Sequence, residues 1–184
     1  MKGANMKYAI ELYFDHETEQ KLFEYPKLLD KENLSSKYLE WKTRPHVTLA
    51  CFNDVDEEKC RHTLEDFASS HAALFACIGS LGFFTDTRTI FASPVMNSRM
   101  YDMQREIHGM MSDFDTSGHE WYLPDRWVPH CGLALMSEDD DEAFFKASDL
   151  ILRRFEKIAG KFSSIGLVKI SFPVEEIFTV NLQG

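Results

Sequence analysis

Two segments of this 184-residue chain carry residues suited to acid–base chemistry, and they carry them in the same order. RPHVTLACFNDVDEEK holds His46, and VPHCGLALMSEDDDEA holds His130, 84 positions later. Both read Pro-His-x-x-Leu-Ala, pass through an acidic polar break and run into a helix-like stretch. Histidine titrates near neutral pH, so a pair can supply the base that deprotonates a nucleophile and the acid that protonates a leaving oxygen. Each transfer is worth typically ~10²- to 10⁴-fold in rate. Splitting a phosphodiester with water needs both. On a strand, Thr48 shares the face of His46 and sets a hydroxyl donor beside it. The matching position of the second segment is Gly132, which has no hydroxyl to offer.

A lone strand histidine is more often a packed structural residue, and paired histidines also serve metals. Repetition favours the acid–base reading, and the absence of an HExxH-type spacing disfavours the metal one, although His119 and Glu120 precede the second segment. No metal and no cofactor are therefore expected. His16, His62, His71, His108 and His119 lack matched partners and are expected at the surface. Arg44, Arg88 and Arg126 are candidates to grip phosphate oxygens in a two-pronged fork. Tyr122 and Trp127, close to the second segment, are candidates to stack a base, whereas Tyr13, Phe83 and Phe84 read as core. Cys131 alternates away from His130, which argues against a Cys-His nucleophilic pair.

The elements that must position these residues follow from periodicity. KYAIELYF (7–14) reads as a strand. A helical pattern over 16–29 is expected to break at Pro26. HVTLACF predicts a strand with His46, Thr48 and Ala50 on one face and Val47, Leu49 and Cys51 on the other. An amphipathic helix over 57–71 follows capping residues at 53–56. Residues 72–95 predict a hairpin turning at 85–87, and 97–114 a helix with Met100, Met103, Ile107, Met110 and Met111 on one stripe, read as core. Residues 113–124 predict a loop flanking the site. The strand carrying His130 is followed by the acidic run at 137–142, read as a solvated helix start, and by AFFKASDLILRRF, a helix. SSIGLVKISF and IFTVNL close the chain as strands around Pro173. A duplicated strand–helix–strand unit predicts the two histidine strands side by side about a pseudo-twofold axis, facing one cleft.

Bulk properties bound the partner. A length of 184 residues with 44% hydrophobic content suits one globular unit, 1–184, of two pseudo-symmetric lobes. Thirty acidic against 20 basic residues give a net charge of −10, which disfavours a long nucleic-acid footprint but leaves room for a local basic cleft. No apolar stretch approaches the roughly 20 residues of a membrane span, and the opening lacks a leader pattern. Four cysteines without a CxxC pair read as free thiols of a cytoplasmic, monomeric protein.

The His46-Val47-Thr48 triplet and its partner around His130 resemble the 2H phosphoesterase superfamily, the group of 2′-5′ RNA ligase-like proteins and cyclic phosphodiesterases named for two His-x-Thr motifs. LGFFTDTRTIFASPV and IGLVKIS look like that family's connecting elements. The resemblance implies an α+β bilobal fold, with two antiparallel sheets facing a central groove and helices outside. It also implies metal-independent action on a 2′,3′-cyclic or 2′-5′-linked phosphodiester of a nucleotide or RNA end. His46 and His130 are then the catalytic pair, with Thr48, Gly132, Arg44, Arg88, Arg126, Tyr122 and Trp127 around the substrate. Gly132 departs from the pattern: it costs a donor, worth on the order of 10²- to 10³-fold, and it opens room for a backbone amide, a water or a bulkier substituent. The alternatives are a non-catalytic nucleotide or RNA-end binding module, or a structural domain that binds no ligand.

Overall fold

In the computed structural model of the protein, residues 7–137 and 139–184 are described. Residues 1–6, part of the opening read above for a leader, and Glu138 of the acidic run lie outside them. The strands are β1 (Tyr8–Phe14), β2 (His46–Phe52), β3 (Leu74–Phe84), β4 (Thr89–Pro94), β5 (Cys131–Leu135), β6 (Ile158–Lys169) and β7 (Glu175–Asn181). The helices are α1 (His16–Lys31), α2 (Lys37–Glu40), α3 (Glu57–Ser70), α4 (Ser98–Met110) and α5 (Asp141–Arg154). Four helix starts are capped as the side-chain chemistry dictates: Asp15, Asp56, Asn97 and Asp140 each accept the backbone N–H three residues on. One expectation is corrected at α1. It runs through Pro26 unbroken, because Leu22, Tyr25, Pro26 and Leu29 are all buried and their packing holds both halves of the helix to the sheet.

The strands form one antiparallel sheet in the order β2-β1-β6-β3-β4-β5, with β7 added to β6. The α+β architecture is as expected, but the two sheets are joined. β6 pairs β3 through Ile158–Phe162, then β1 through Phe162–Lys169 and β7 through Ser164–Lys169. β3 in turn pairs β6 through Leu74–Ile78 and β4 through Ile78–Phe84. A short central overlap therefore links two halves of like order, β2-β1-β6 and β5-β4-β3. The two histidine strands are not neighbours, as the repeat suggested, but the outermost strands of the path. They nevertheless approach one another, which requires the sheet to curl until its edges meet.

The main core gathers Leu22 and Leu29 of α1, Leu64 and Phe67 of α3, Met100 and Ile107 of α4 and Ile151 of α5 against Ile10, Leu12, Leu133 and Leu167 of the strands. Met110 alone of the methionine stripe is turned outward, at 38% exposure. The other face of β1, β2 and β6 carries a small cluster of Ala9, Tyr13, Cys51 and Val168. Glu11, His46 and Thr48 stand on that same face, since Tyr13 lies opposite His46 and Glu11 opposite Thr48.

Both histidine strands contain a bulge at the same offset. Ile10 faces Ala50 and Glu11 faces Thr48, so Leu49 has no partner. Ile90 faces Ala134 and Phe91 faces Gly132, so Leu133 has none. Each unpaired leucine lies three residues after its histidine and sinks into the core. The bulge resets alternation and corrects the predicted faces: Ala50 joins the core, and Cys51 returns to the face of His46. Side chains then cover the exposed strand edges. Trp127 Nε1 donates to Thr48 O at 2.9 Å, and Gln104 Nε2 and His108 Nε2 both reach Leu49 O at 3.2 Å. On the other edge, Ser35 Oγ and Lys37 Nζ donate to the carbonyls of Leu135 and Met136 at 3.2 and 3.3 Å. An edge strand otherwise offers such groups to another chain.

Candidate active site

Each histidine is oriented by its own backbone. His46 Nδ1 lies 2.6 Å from the Arg44 carbonyl, and His130 Nδ1 lies 2.7 Å from the Val128 carbonyl, two residues back in both cases. A carbonyl oxygen only accepts, so Nδ1 carries the proton in both rings and Nε2 is left for chemistry. The repeated Pro-His pair thus builds the same local device twice.

Their surroundings differ. His46 Nε2 is 3.2 Å from Oε1 of Glu11, whose side chain is almost fully buried. That contact needs a proton, held either as imidazolium against carboxylate or as imidazole against carboxylic acid. Burial raises the Glu11 pKa, opposed first by the charge of His46 and then by the Tyr13 hydroxyl, which donates to Glu11. Arg44 lies 4.1 Å over the Tyr13 ring and completes the support. In the second half Phe91 occupies the register position of Glu11, opposite Gly132. His130 is ringed by aromatics: Phe84 edge-on at 4.7 Å, Phe91 at 5.4 Å and Tyr122 at 6.5 Å between centroids. Burial lowers the His130 pKa, and the charge of His46 lowers it further. Phenyl rings stand around the second imidazole where a carboxyl stands against the first, and they disfavour the charged form of His130.

The remaining predicted residues divide. Thr48 stands on the β2 face that carries His46, at 7% exposure. Tyr122 joins the aromatic wall. Arg126 is exposed and makes no ion pair among the described residues. Arg44 is taken up by Glu19, at 2.6 and 3.1 Å in a two-pronged pair, and by Glu176 at 3.4 Å, so it braces the site and is not free to clamp phosphate. Arg88 is bound to Asp141 at 2.6 Å at the start of α5 and lies over Phe144. Trp127 is corrected from base-stacking to core: it is 7% exposed, with its indole N–H spent on Thr48 O. Of the aromatics read as core, Phe83 is 47% exposed against Phe144, while Phe84 packs on His130. His119 is likewise corrected from surface to interior, 3% exposed with Nε2 3.0 Å from Asn53 Oδ1. Cys131 is buried in the main core, and burial pushes its thiol up to about 12. Among the described residues no three His, Cys, Asp or Glu side chains gather as a metal site would need.

The room expected beside Gly132 is filled. A β-carbon there would lie 1.9 Å from the Tyr38 hydroxyl oxygen, so the α2 ring covers the space beside Gly132. Sequence reasoning missed Tyr38 and Glu11. Glu11 had a signal, an acid in the middle of a strand otherwise buried throughout. Tyr38 had none, because nothing in KYLE says which strand edge it crosses.

The chain belongs to the 2′-5′ RNA ligase superfamily, whose profile its residues 20–177 match. Its fold is similar to that of TT0787 of Thermus thermophilus, with a TM-score of 0.61 at 15% identity, covering 97% of this chain and 99% of that one. Escherichia coli LigT crystallised with 3′-AMP superposes with a TM-score of 0.60 at 12% identity, again covering 97% and 99%. A crystal structure described as a phosphoesterase gives 0.57 at 11% identity over 98% and 99%. No curated protein matches the sequence.

Proposed function

We propose that the protein is a metal-independent phosphoesterase that opens a 2′,3′-cyclic or 2′-5′-linked phosphodiester of a nucleotide or RNA end. The observation that carries this reading is the pair of histidines set by identical backbone bonds in unlike surroundings. His130, neutral in its aromatic wall, takes the proton from the attacking water at Nε2. The water oxygen bonds to phosphorus, the bond to the leaving oxygen breaks, and that oxygen receives the proton held between His46 and Glu11. Thr48 donates to a phosphate oxygen, and Arg126 and Tyr122 are the free candidates for the rest of the substrate. Family membership supports the phosphoester class, and the nucleotide held by the E. coli relative supports a nucleotide-sized ligand.

The test is turnover by EDTA-treated protein across 2′,3′-cyclic nucleotides and 2′-5′ dinucleotides, followed by chromatography. Hydrolysis of at least one member, undiminished by chelator, is expected. Tight binding with no hydrolysis across the panel would instead make the protein a nucleotide-end binding module, the reading favoured by the glycine at 132.

Glu11 leads to a separate expectation. Its folded pKa is raised above 4.5, so the folded protein keeps a proton that the unfolded chain has released. The stability contributed by that proton is complete below 4.5 and is lost as pH rises through the raised value. Glu11→Gln has nothing to lose there. In urea unfolding it is expected, relative to the parent protein, to gain stability as pH rises from 4.5 and to level off once pH has passed the raised value, and parallel curves for the two would contradict the raised pKa.

A further inference from the structure

Gly132 occupies the position where the repeat calls for a threonine, and its missing side chain has a substitute. The segment before β2 crosses from α1 onto the outer edge of β5, pinned there by Ser35 on Leu135 O and Lys37 on Met136 O. This seats α2 with the Tyr38 ring directly on Gly132. A β-carbon at 132 would stand 1.9 Å from the phenolic oxygen and 2.6 Å from the ring carbon bearing it. Both distances are far inside van der Waals contact, so a side chain at 132 and the Tyr38 hydroxyl exclude each other. The glycine and the tyrosine are one unit: the hydroxyl sits where the first atoms of a threonine would be.

We propose that the Tyr38 hydroxyl, delivered from α2 across the edge of β5, makes the phosphate contact that a threonine at 132 would have made, opposite Thr48 in the groove. The inference rests on the phosphoesterase reading above. The position supports a donor role. Position 132 shares the face of His130, with Phe91 opposite it. No hydrogen bond to the Tyr38 hydroxyl is found among the described residues, so the group is not already spent. Burial, and then the charges of Cys131 and Glu11, raise its pKa well above the ordinary phenol value of 10.0, so it keeps its proton. A neutral donor aimed at a phosphate oxygen gains strength as charge builds there in the transition state. Reaching in from a helix, it also replaces the open space of a glycine with a ring, which narrows that end of the groove.

The deciding variant is Tyr38→Phe, which keeps the ring over Gly132 and removes only the oxygen. On whichever panel member the parent protein hydrolyses, kcat/KM is expected to fall by about 10²- to 10³-fold, the cost of one such donor, with the thermal midpoint unchanged. A second pair moves the hydroxyl back to the strand: Tyr38→Ala with Gly132→Thr is expected to exceed Tyr38→Ala with Gly132→Ala by at least about tenfold. Full activity in Tyr38→Phe, on a substrate that His130→Ala does not turn over, would overturn the role of Tyr38 and leave the phosphoesterase intact. If the parent protein hydrolyses nothing in the panel, the phosphoesterase reading fails, and titration with inorganic phosphate judges Tyr38 alone. Binding weakened at least tenfold in Tyr38→Phe upholds the contact, and equal or absent binding removes it.

Discussion

Replacing His130 with alanine is expected to lower turnover by about 10²- to 10⁴-fold, and His46→Ala to do the same, because each removes one of two proton transfers that the reaction needs. The double variant is expected to be little worse than the poorer single one, since residues that act on one transition state do not contribute additively. The pH profile separates the two roles. His130 serves as base only when neutral, and its pKa lies below 6.5 because burial among Phe84, Phe91 and Tyr122, with the nearby charge of His46, disfavours imidazolium. The neutral form is present above that lowered pKa and is lost as pH falls through it. The acid limb of kcat/KM in the parent protein is thus expected below 6.5, and His130→Ala should lack it. The same shift has a stability sign. The unfolded chain takes up this proton first, so the contribution of neutral His130 is complete above 6.5 and declines as pH falls towards the folded value. An acid limb at 6.5 or higher that survives His130→Ala would assign the base elsewhere.

The second large effect is structural. Trp127→Ala is expected to destabilise the protein by about 3–5 kcal/mol, the range for deleting a buried large aromatic side chain. The indole is 7% exposed, fills the space beside β2 and gives its N–H to the carbonyl of Thr48. Trp127→Phe keeps most of the packing and loses the hydrogen bond, so it should cost less, about 1 kcal/mol or somewhat more for the carbonyl left without its donor. Because that carbonyl belongs to Thr48, the alanine variant is also expected to lose activity at temperatures where it remains folded. Urea unfolding of both variants, with activity measured well below the midpoint, tests this. A Trp127→Ala variant within about 1 kcal/mol of the parent would mean that the indole packs loosely.

Both expectations turn on what neighbours in sequence could and could not reveal. The Pro-His-x-x-Leu-Ala repeat made His46 and His130 stand out, because a strand has a period of two and a motif on it keeps its facing wherever the strand goes. The helix start after the capping residues at 53–56 was readable because its reach is also short, Asp56 bonding only three residues ahead. The facing of Cys51 was misread because a bulge at Leu49 interrupts the period, and a bulge needs a partner strand to exist. Pro26 was read as a break because its helix cost is local, whereas the burial that outweighs it comes from the sheet.

By itself the sequence determined the class of elements, the repeat, the two imidazoles and the hydroxyl of Thr48, all of which depend on contacts within a few residues. The tertiary structure decided that the histidine strands are outer strands brought together by a curled sheet, that Glu11 holds one imidazole while Phe91 and Phe84 hold the other, and that Arg44 is committed to Glu19. It also put Tyr38 into the gap at Gly132, across 94 positions of chain. The physical reason is range. Backbone period and capping act between near neighbours, whereas pKa shifts, ion pairing and the filling of a vacant side-chain volume depend on which distant residues the folded chain brings within a few ångströms.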